Sequence, residues 1–249
     1  MRKNQRYWTS TKRSTTLSPL NRSDLELYAR VEHLLGIEES TQFLHDSYAQ
    51  TLEAYDVKSV LDIGCGRGGL MEQLALDNID AKGIDLSEVM IEEAKAKGLN
   101  AECIDVADEK GQYDAAVAVF DVLNFMNSDE LDTFLDNVAK VLKPKGLFIA
   151  DINTKYGFSA VAEGTMNAED ENGFLSVDAV FDNDELRTIF TYFEKSEGEC
   201  YTKEQQMITQ HFHPLSFFRR KRGVKLIKHE KISLYDKDDK ALLIFSKEV

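Results

Sequence analysis

The sequence lacks the features that would place it in a membrane, in a secreted form or around a metal ion. Its 249 residues include only three cysteines, Cys65, Cys103 and Cys200, and their spacing is not that of metal ligands. We therefore expect neither a metal site nor a disulfide framework, as is usual in a reducing cytoplasm. The longest apolar runs, such as residues 115–120, are far too short to span a bilayer. The basic N-terminus has no apolar segment typical of a secretory signal, so we expect a cytoplasmic protein without membrane contact.

The charge is strongly acidic but unevenly distributed. The formal net charge is −14, yet residues 1–22 carry only basic charges, and a second basic cluster runs from residue 219 to residue 231. A uniformly acidic surface repels nucleic acid, but two local basic segments could contact the phosphates of an RNA substrate. The alternative for both segments is a solvated surface. The first segment is either a loose leader or a lid that places Tyr7 and Trp8 over a pocket.

Residues 60–70, VLDIGCGRGGL, form the most informative stretch of the chain. A short apolar run ends in an acid, four glycines follow, and a helical pattern begins. This order is typical of a buried strand, a tight turn and a helix N-terminus. Glycines permit unusual backbone angles and close approach of a ligand, and the helix start offers free N–H groups. The stretch therefore indicates a site for a nucleotide-like cofactor, unless the glycines serve the geometry of the turn alone.

Two cofactors compete for this site. Gly64, Gly66 and Gly69 satisfy the dinucleotide fingerprint, and Asp85 follows at the distance of a ribose-binding acid. Against a dinucleotide, Asp62 stands two residues before the first glycine, where a carboxylate suits an ammonium group. Asp85 and Asp105 each close a further predicted strand. Three acids in this order suit a cofactor with an amino acid, a ribose and an adenine, which describes S-adenosylmethionine.

Five motifs in order resemble the class I S-adenosylmethionine-dependent methyltransferases. They are LDIGCGRG (61–68), GIDLS (83–87), CIDVAD (103–108), YDAAVAVFDVLNFM (113–126) and LKPKGLFIADIN (142–153). The resemblance covers residues 55–153 well and residues 212–249 more loosely. It implies that S-adenosylmethionine is the cofactor and S-adenosylhomocysteine the product.

The resemblance also implies one contact for each of eight residues. Asp62 and the backbone at Gly64 and Gly66 would hold the methionine portion, and the Phe120 backbone would border it. Asp85 would accept hydrogen bonds from the ribose hydroxyls. Leu86 and Val106 would pack on the adenine ring, and Asp105 would accept a hydrogen bond from the adenine amino group.

The alternation of strands and helices after residue 58 predicts a parallel sheet with helices on both faces. With the reversed C-terminal hairpin that the resemblance implies, the expected fold is a Rossmann-like, seven-stranded, doubly wound α/β sheet. Residues 154–173 break this rhythm with a polar stretch that has no periodicity, and residues 174–212 follow with strand-like alternation. Together they predict an antiparallel β-rich cap insertion over 154–211. We therefore expect N-terminal leader and helices over 1–55, a cofactor-binding domain over 56–153 and 212–249, and the cap over 154–211. The apolar face of the cap must be buried, either at the pocket mouth or in a homodimer.

The acceptor side of the site is less well defined by the sequence. Asn124 follows the fourth strand and, in the resembling family, points towards the methyl acceptor. His211 and His213 are two residues apart, so on a strand they share a face and are candidates for a general base. The alternative is that each is a structural histidine.

The segment DVLNFM resembles small-molecule N- and O-methyltransferases and lacks the Asn/Asp-Pro-Pro-Tyr/Phe motif of enzymes that methylate base amines. The sequence thus predicts methyl transfer to an N or O atom of a small molecule. A tRNA-modifying methyltransferase and a non-catalytic cofactor-binding scaffold remain as alternatives.

Overall fold

The computed structural model of the chain describes residues 25–196, 200–219, 221 and 223–248. The basic leader with Tyr7 and Trp8 lies outside these residues. Among the described residues, none of the helices combines the length and apolar character needed to cross a membrane.

The described chain alternates strands and helices and then becomes mostly β. The strands are β1 Ser59–Ile63, β2 Asp80–Ile84, β3 Ala101–Glu102, β4 Tyr113–Ala118, β5 Leu142–Asn153, β6 Gly164–Glu169, β7 Gly173–Asp182, β8 Glu185–Lys195, β9 Tyr201–His211, β10 Val224–Ile232 and β11 Lys240–Lys247. The helices are α1 Glu26–Val31, α2 Glu38–Ala54, α3 Gly69–Leu76, α4 Glu88–Ala96, α5 Ser128–Val141 and α6 Leu215–Phe218. Single 3₁₀ turns cover Glu32–Leu34 and Val122–Phe125, and a π-helical turn covers Gly157–Ala162.

The larger sheet has seven strands in the order β10-β11-β5-β4-β1-β2-β3. Strands β1 to β5 are parallel, whereas β11 runs antiparallel to both β5 and β10. Apolar side chains bury both faces of the sheet: Leu135 and Phe148 belong to one cluster, Leu44 and Val117 to the other. The predicted doubly wound sheet with its reversed C-terminal hairpin is therefore confirmed.

Helix starts in this domain follow the capping signals of the sequence. The Ser87 hydroxyl accepts a hydrogen bond from the Met90 N–H at the start of α4. At α5, Asn127 and Glu130 exchange side-chain and backbone bonds in a complete capping box. These local bonds fix where each helix leaves the ligand-binding edge of the sheet.

A second, antiparallel sheet of four strands, β6-β7-β8-β9, follows the fifth strand and is called the cap sheet below. Strands β7 to β9 match the predicted runs, whereas the polar strand β6 was missed because its sequence shows no apolar alternation. One face of the sheet buries Val177, Phe190 and Ile208 against Leu27 and Val31 of α1. The apolar face of the cap sheet is thus covered by an N-terminal helix of the same chain.

The opposite face of the cap sheet leaves large apolar side chains exposed. Val180 is 53% and Met207 51% exposed, and Phe174 is also exposed at one end of the sheet. A homodimer through the cap would cover this face and stays a prediction.

The capping box of α5 provides a test of this description. Replacing Asn127 with alanine removes the acceptor for two N–H groups, so we expect a loss of about 1 kcal/mol in the free energy of unfolding. Urea denaturation measures this loss. The matched control is Asn167→Ala on the exposed strand β6, which should change stability by less than about 0.5 kcal/mol. Equal effects of the two substitutions would contradict the capping role.

Candidate functional site

A large cavity opens at the carboxyl edge of the parallel strands. Its volume is about 1640 Å³, and its walls come from α1 to α5 and from the loops that follow β1, β2, β3 and β4. All eight residues that the sequence analysis assigned to the cofactor line it: Asp62, Gly64, Gly66, Asp85, Leu86, Asp105, Val106 and Phe120. The topology brings these residues to one place because parallel strands present their carboxyl ends at the same edge.

The glycine loop after β1 is shaped by backbone constraints. Gly64 and Gly66 have φ angles of 75° and 53°, in the left-handed region that favours glycine. A Cβ added at Gly64 would lie 2.9 Å from a methyl group of Val122. The Asp85 carboxylate accepts the Gly66 N–H at 2.9 Å and the Ser87 N–H at 2.8 Å. Asp85 therefore holds the loop in place in addition to facing the cavity.

Asp62 is the most deeply buried acid of the cavity wall, with 2% of its surface exposed. Burial, and secondarily the charge of Asp85, raise the pKa of Asp62 to about 7. Burial also raises the pKa of Asp85, although its bonds from backbone N–H groups oppose this. A cationic ligand would stabilise both carboxylates, so this part of the cavity favours a positively charged group.

Asp105 differs from the predicted position at a strand end. Strand β3 contains only Ala101 and Glu102, and Asp105 lies in the turn beyond it. Its Oδ1 accepts the Ala107 N–H at 2.8 Å, and this turn places the exposed carboxylate on the cavity wall. Strand β3 ends at Glu102 because its partner β2 ends opposite it at Ile84, and Asp105 lies in the turn that follows.

Arg67, between the glycines, links the loop to helix α1. Its guanidinium pairs with Glu32 and donates to the Ala29 carbonyl, and its Nε donates to Glu93 at 2.6 Å. Helix α1 in turn lines the cavity through Tyr28. This contact is not predictable from the sequence, because no local pattern indicates that Arg67 reaches residues more than 25 positions away.

The turn after β4 has an unusual backbone. Phe120 and Asp121 have φ angles of 66° and 68°, which are rare for residues with side chains. Both N–H groups donate to the buried Asp151 carboxylate, at 2.7 and 3.2 Å. Lys240 lies 3.3 Å from Asp151 and pairs with Asp121. The structure thus adds three charged residues next to the wall at Phe120 that the sequence analysis did not identify.

Comparison with known proteins agrees with this site. Residues 60–146 match the family model described as a methyltransferase domain. The Bacillus subtilis protein YqeM, named as a methyltransferase, is 28% identical over 185 residues, which cover 69% of this chain and 74% of that protein. Residues 60–146 thus carry a methyltransferase domain, and these matches support the class I S-adenosylmethionine-dependent family expected from the motifs.

Solved structures of methyltransferases share the fold of this domain and of the cap sheet. A methyltransferase from Clostridium acetobutylicum superposes with a TM-score of 0.73 at 20% identity, covering 90% of this chain and all of that one. CalS10, an amino pentose methyltransferase from Micromonospora echinaspora, gives a TM-score of 0.69 at 15% identity over 90% of this chain and 97% of its own. At these identities the likeness extends to the fold alone.

The three residues proposed for catalysis lie outside the cavity of the methyltransferase domain. Asn124 is fully buried, where its side chain donates to the His211 carbonyl at 2.8 Å and accepts the Asn153 N–H at 2.9 Å. His213 follows the end of β9, so it does not share a strand face with His211. Its Nε2 lies 2.9 Å from the Met126 carbonyl, beside Phe217. In this arrangement Asn124 and His213 hold segments of backbone together.

His211 ends strand β9 on the exposed face of the cap sheet. Its Nδ1 lies 3.7 Å from Glu185 of the neighbouring strand, and its side chain does not line the cavity. The expectation that His211 and His213 point into one cleft is therefore not met, because the chain leaves the strand between them.

The second basic cluster is only partly described. Lys221 pairs with Asp132 at 2.5 Å and lies over the ring of Phe217, so its charge is engaged within the chain. Arg220 and Arg222 lie outside the described residues. The tRNA alternative stays a prediction.

Arg67 provides a test of how α1 is held on the methyltransferase domain. Replacing Arg67 with methionine removes its bonds to α1, so we expect roughly tenfold faster amide hydrogen exchange in residues 26–31. Exchange in β1 should stay unchanged. Arg30→Met is the matched control, because its ion pair with Glu204 is exposed and contributes little. Unaltered exchange in α1 of the Arg67 variant would show that the cap sheet alone holds this helix.

Proposed function

We propose that the chain transfers the methyl group of S-adenosylmethionine to an N or O atom of a small-molecule acceptor. The observation that carries the proposal is the convergence of Asp62, Asp85 and Asp105 on one cavity beside a glycine loop. A non-catalytic scaffold has no need of three acids on a cavity wall. Two of them, Asp62 and Asp85, are buried at a desolvation cost that raises their pKa values.

The residues present fit this cofactor. Asp62, buried and close to the loop, would hold the ammonium group of the methionine portion. Asp85 retains acceptor capacity for the ribose hydroxyls beyond its two backbone bonds. Asp105 has one carboxylate oxygen free of hydrogen bonds within the described residues for the adenine amino group, and Leu86 and Val106 would pack on the ring.

The cofactor supplies a methyl carbon already activated by a sulfonium. The remaining task of the chain is to align the acceptor and to exclude water. The wall at Phe120 and the half-buried Tyr28 are placed for this, because both line the cavity beside Asp62. An acceptor amine that enters uncharged needs only a group to take its proton after transfer.

The charge of the cavity wall favours an amine over a phosphate or carboxylate acceptor. The described wall carries seven acids and only two permanent cations, Arg67 and Lys97. Both cations are engaged: Arg67 by Glu32 and Glu93, and Lys97 by Glu72 at 2.8 Å. The cavity volume exceeds the roughly 300–1,000 Å³ usual for one ligand, which leaves room for cofactor and acceptor together.

The cap sheet, which belongs to the proposed insertion over residues 154–211, acts on the cavity indirectly. None of the described residues between 154 and 211 lines the cavity, and the cap sheet meets α1, which does. We infer that residues 154–211 influence the acceptor through α1, and that the exposed face of the cap sheet serves a homodimer.

Cofactor binding should depend on pH through Asp62. Because its pKa is raised to about 7, Asp62 is largely protonated at pH 6 and ionised at pH 7.5. A ligand ammonium group binds the ionised form, so affinity for S-adenosylhomocysteine should rise about eightfold over this range. Calorimetry measures the affinity at each pH.

Asp62→Asn should bind more weakly and lose the pH dependence, whereas Asp105→Asn, on the exposed part of the wall, should keep it. A flat profile for the unsubstituted protein would remove Asp62 from the ammonium site. Tight NADH binding together with no binding of S-adenosylmethionine would overturn the proposed cofactor.

The acceptor is found by screening. We expect methyl transfer from labelled S-adenosylmethionine to small amines, and none to tRNA or to phosphate esters, for the charge reasons above. Mass spectrometry of the products identifies the methylated atom. Transfer to tRNA that weakens steeply with salt would establish the nucleic-acid alternative in its place.

A further inference from the structure

Lys240 is the most unusual charged residue of the larger sheet. It begins strand β11, whose next five residues are apolar and buried, and only 1% of Lys240 is exposed. A buried ammonium group is costly unless it is paired. Lys240 meets this cost by contact with two carboxylates, Asp121 and Asp151. Three apolar residues would serve the core at least as well as these three charges, so the presence of the whole group requires another explanation.

The three residues, called the charge cluster below, lie directly behind the cavity wall. Asp151 accepts the N–H groups of Phe120 and Asp121 and the Tyr48 hydroxyl, the last at 2.8 Å. The Lys240 ammonium lies 5.3 Å from the centre of the Phe120 ring. Phe120 lines the cavity with Asp62 and Gly64, whereas no member of the charge cluster does. The cluster therefore acts on a ligand through Phe120 and through its charge.

With both carboxylates ionised, the charge cluster carries a net charge of −1. The other titratable groups facing it are Asp62 and three tyrosines, Tyr28, Tyr48 and Tyr235. Burial raises the pKa of each tyrosine, so all three stay neutral at pH 7. A single negative charge thus lies behind Phe120, in a region of low dielectric constant where charges interact over longer distances than in water.

We propose that Asp121, Asp151 and Lys240 are positioning residues whose net negative charge selects the sulfonium of S-adenosylmethionine over the neutral thioether of S-adenosylhomocysteine. The inference rests on the proposed function, which places the methionine end of the cofactor at Phe120. Its consequence is an enzyme that binds the charged methyl donor and releases the uncharged product. Asp151 holds the N–H groups of Phe120 and Asp121, and Lys240 pairs with the Asp121 side chain. These contacts keep the turn in its left-handed backbone conformation and leave one negative charge of the cluster uncompensated.

The test compares the dissociation constants of S-adenosylmethionine and S-adenosylhomocysteine by calorimetry. Asp121→Asn makes the charge cluster neutral, so the preference for S-adenosylmethionine should fall roughly fivefold to tenfold. The double substitution Asp121→Asn with Lys240→Met returns the net charge to −1 and should restore the preference. The matched control is Asp114→Asn, which removes a Lys143 partner at the opposite end of β4 and should leave the ratio unchanged.

A second measurement uses the unsubstituted protein and so does not depend on any variant folding. Burial raises the pKa of Asp121 to about 6, against the opposing charge of Lys240. The preference for S-adenosylmethionine should therefore decline as the pH falls from 7 to 5. The charge of Asp62 also acts on the sulfonium and titrates near this range, so the profile is measured for Asp62→Asn as well, in which the decline caused by Asp121 should remain.

The outcomes separate the two proposals. Equal changes in both dissociation constants for Asp121→Asn, or a ratio that stays constant between pH 7 and pH 5, would overturn the role of the charge cluster while the proposed function stands. Failure of the unsubstituted protein to bind either ligand would instead overturn the proposed function.

Discussion

The burial of carboxylates at one edge of the parallel sheet is the constraint on which the rest of this structure depends. Four acids, Asp62, Asp85, Asp121 and Asp151, lie within or directly after β1, β2, β4 and β5, mostly withdrawn from water. An isolated carboxylate in such a place costs several kcal/mol. Each must therefore collect donors or shift its pKa, and the chain does both. Asp151 gathers two backbone N–H groups, a tyrosine hydroxyl and an ammonium group, whereas Asp62 is left with a raised pKa.

The acids that are hydrogen-bonded differ from Asp62 in the source of their hydrogen-bond donors. Asp85 and Asp151 are satisfied by N–H groups of the very turns that form the cavity wall, at Gly66 and Phe120. The acids are thus part of the folding of the site as well as of its chemistry. Of the acids that line the cavity, Asp62 has the most strongly raised pKa, and a ligand cation would lower its cost of burial.

The sequence predicts those parts of the site that depend on neighbouring residues along the chain. The glycine loop, the acids near the strand ends, the capping box of α5 and the order of the sheet all rest on short-range patterns. Asp105 shows the limit of this reasoning, since β3 ends at Glu102, where its partner β2 also ends, and Asp105 lies in the turn beyond. The pairings of Arg67 with Glu32 and of Lys240 with Asp121 were not predictable, because they join residues 35 and 119 positions apart. The prediction that His211 and His213 share a face assumes that both lie on one strand. Strand β9 ends at His211, so the assumption fails.

The cap sheet contacts the cavity wall through helix α1, through the 3₁₀ turn that follows α1 and through Phe125. Tyr28 packs edge-on against Phe190 at 5.8 Å and lines the cavity on its other side. His33 and Asp170 meet at 3.3 Å, which adds a polar contact between the 3₁₀ turn after α1 and the β6–β7 turn of the cap sheet. Substitutions in the cap sheet would therefore move the acceptor side of the cavity while Asp62, Asp85 and Asp105 stay in place on the larger sheet. Because Arg67 also ties α1 to the glycine loop, the same helix carries the position of the cofactor to the cap sheet. The cap sheet and the glycine loop are in this way coupled through one short helix.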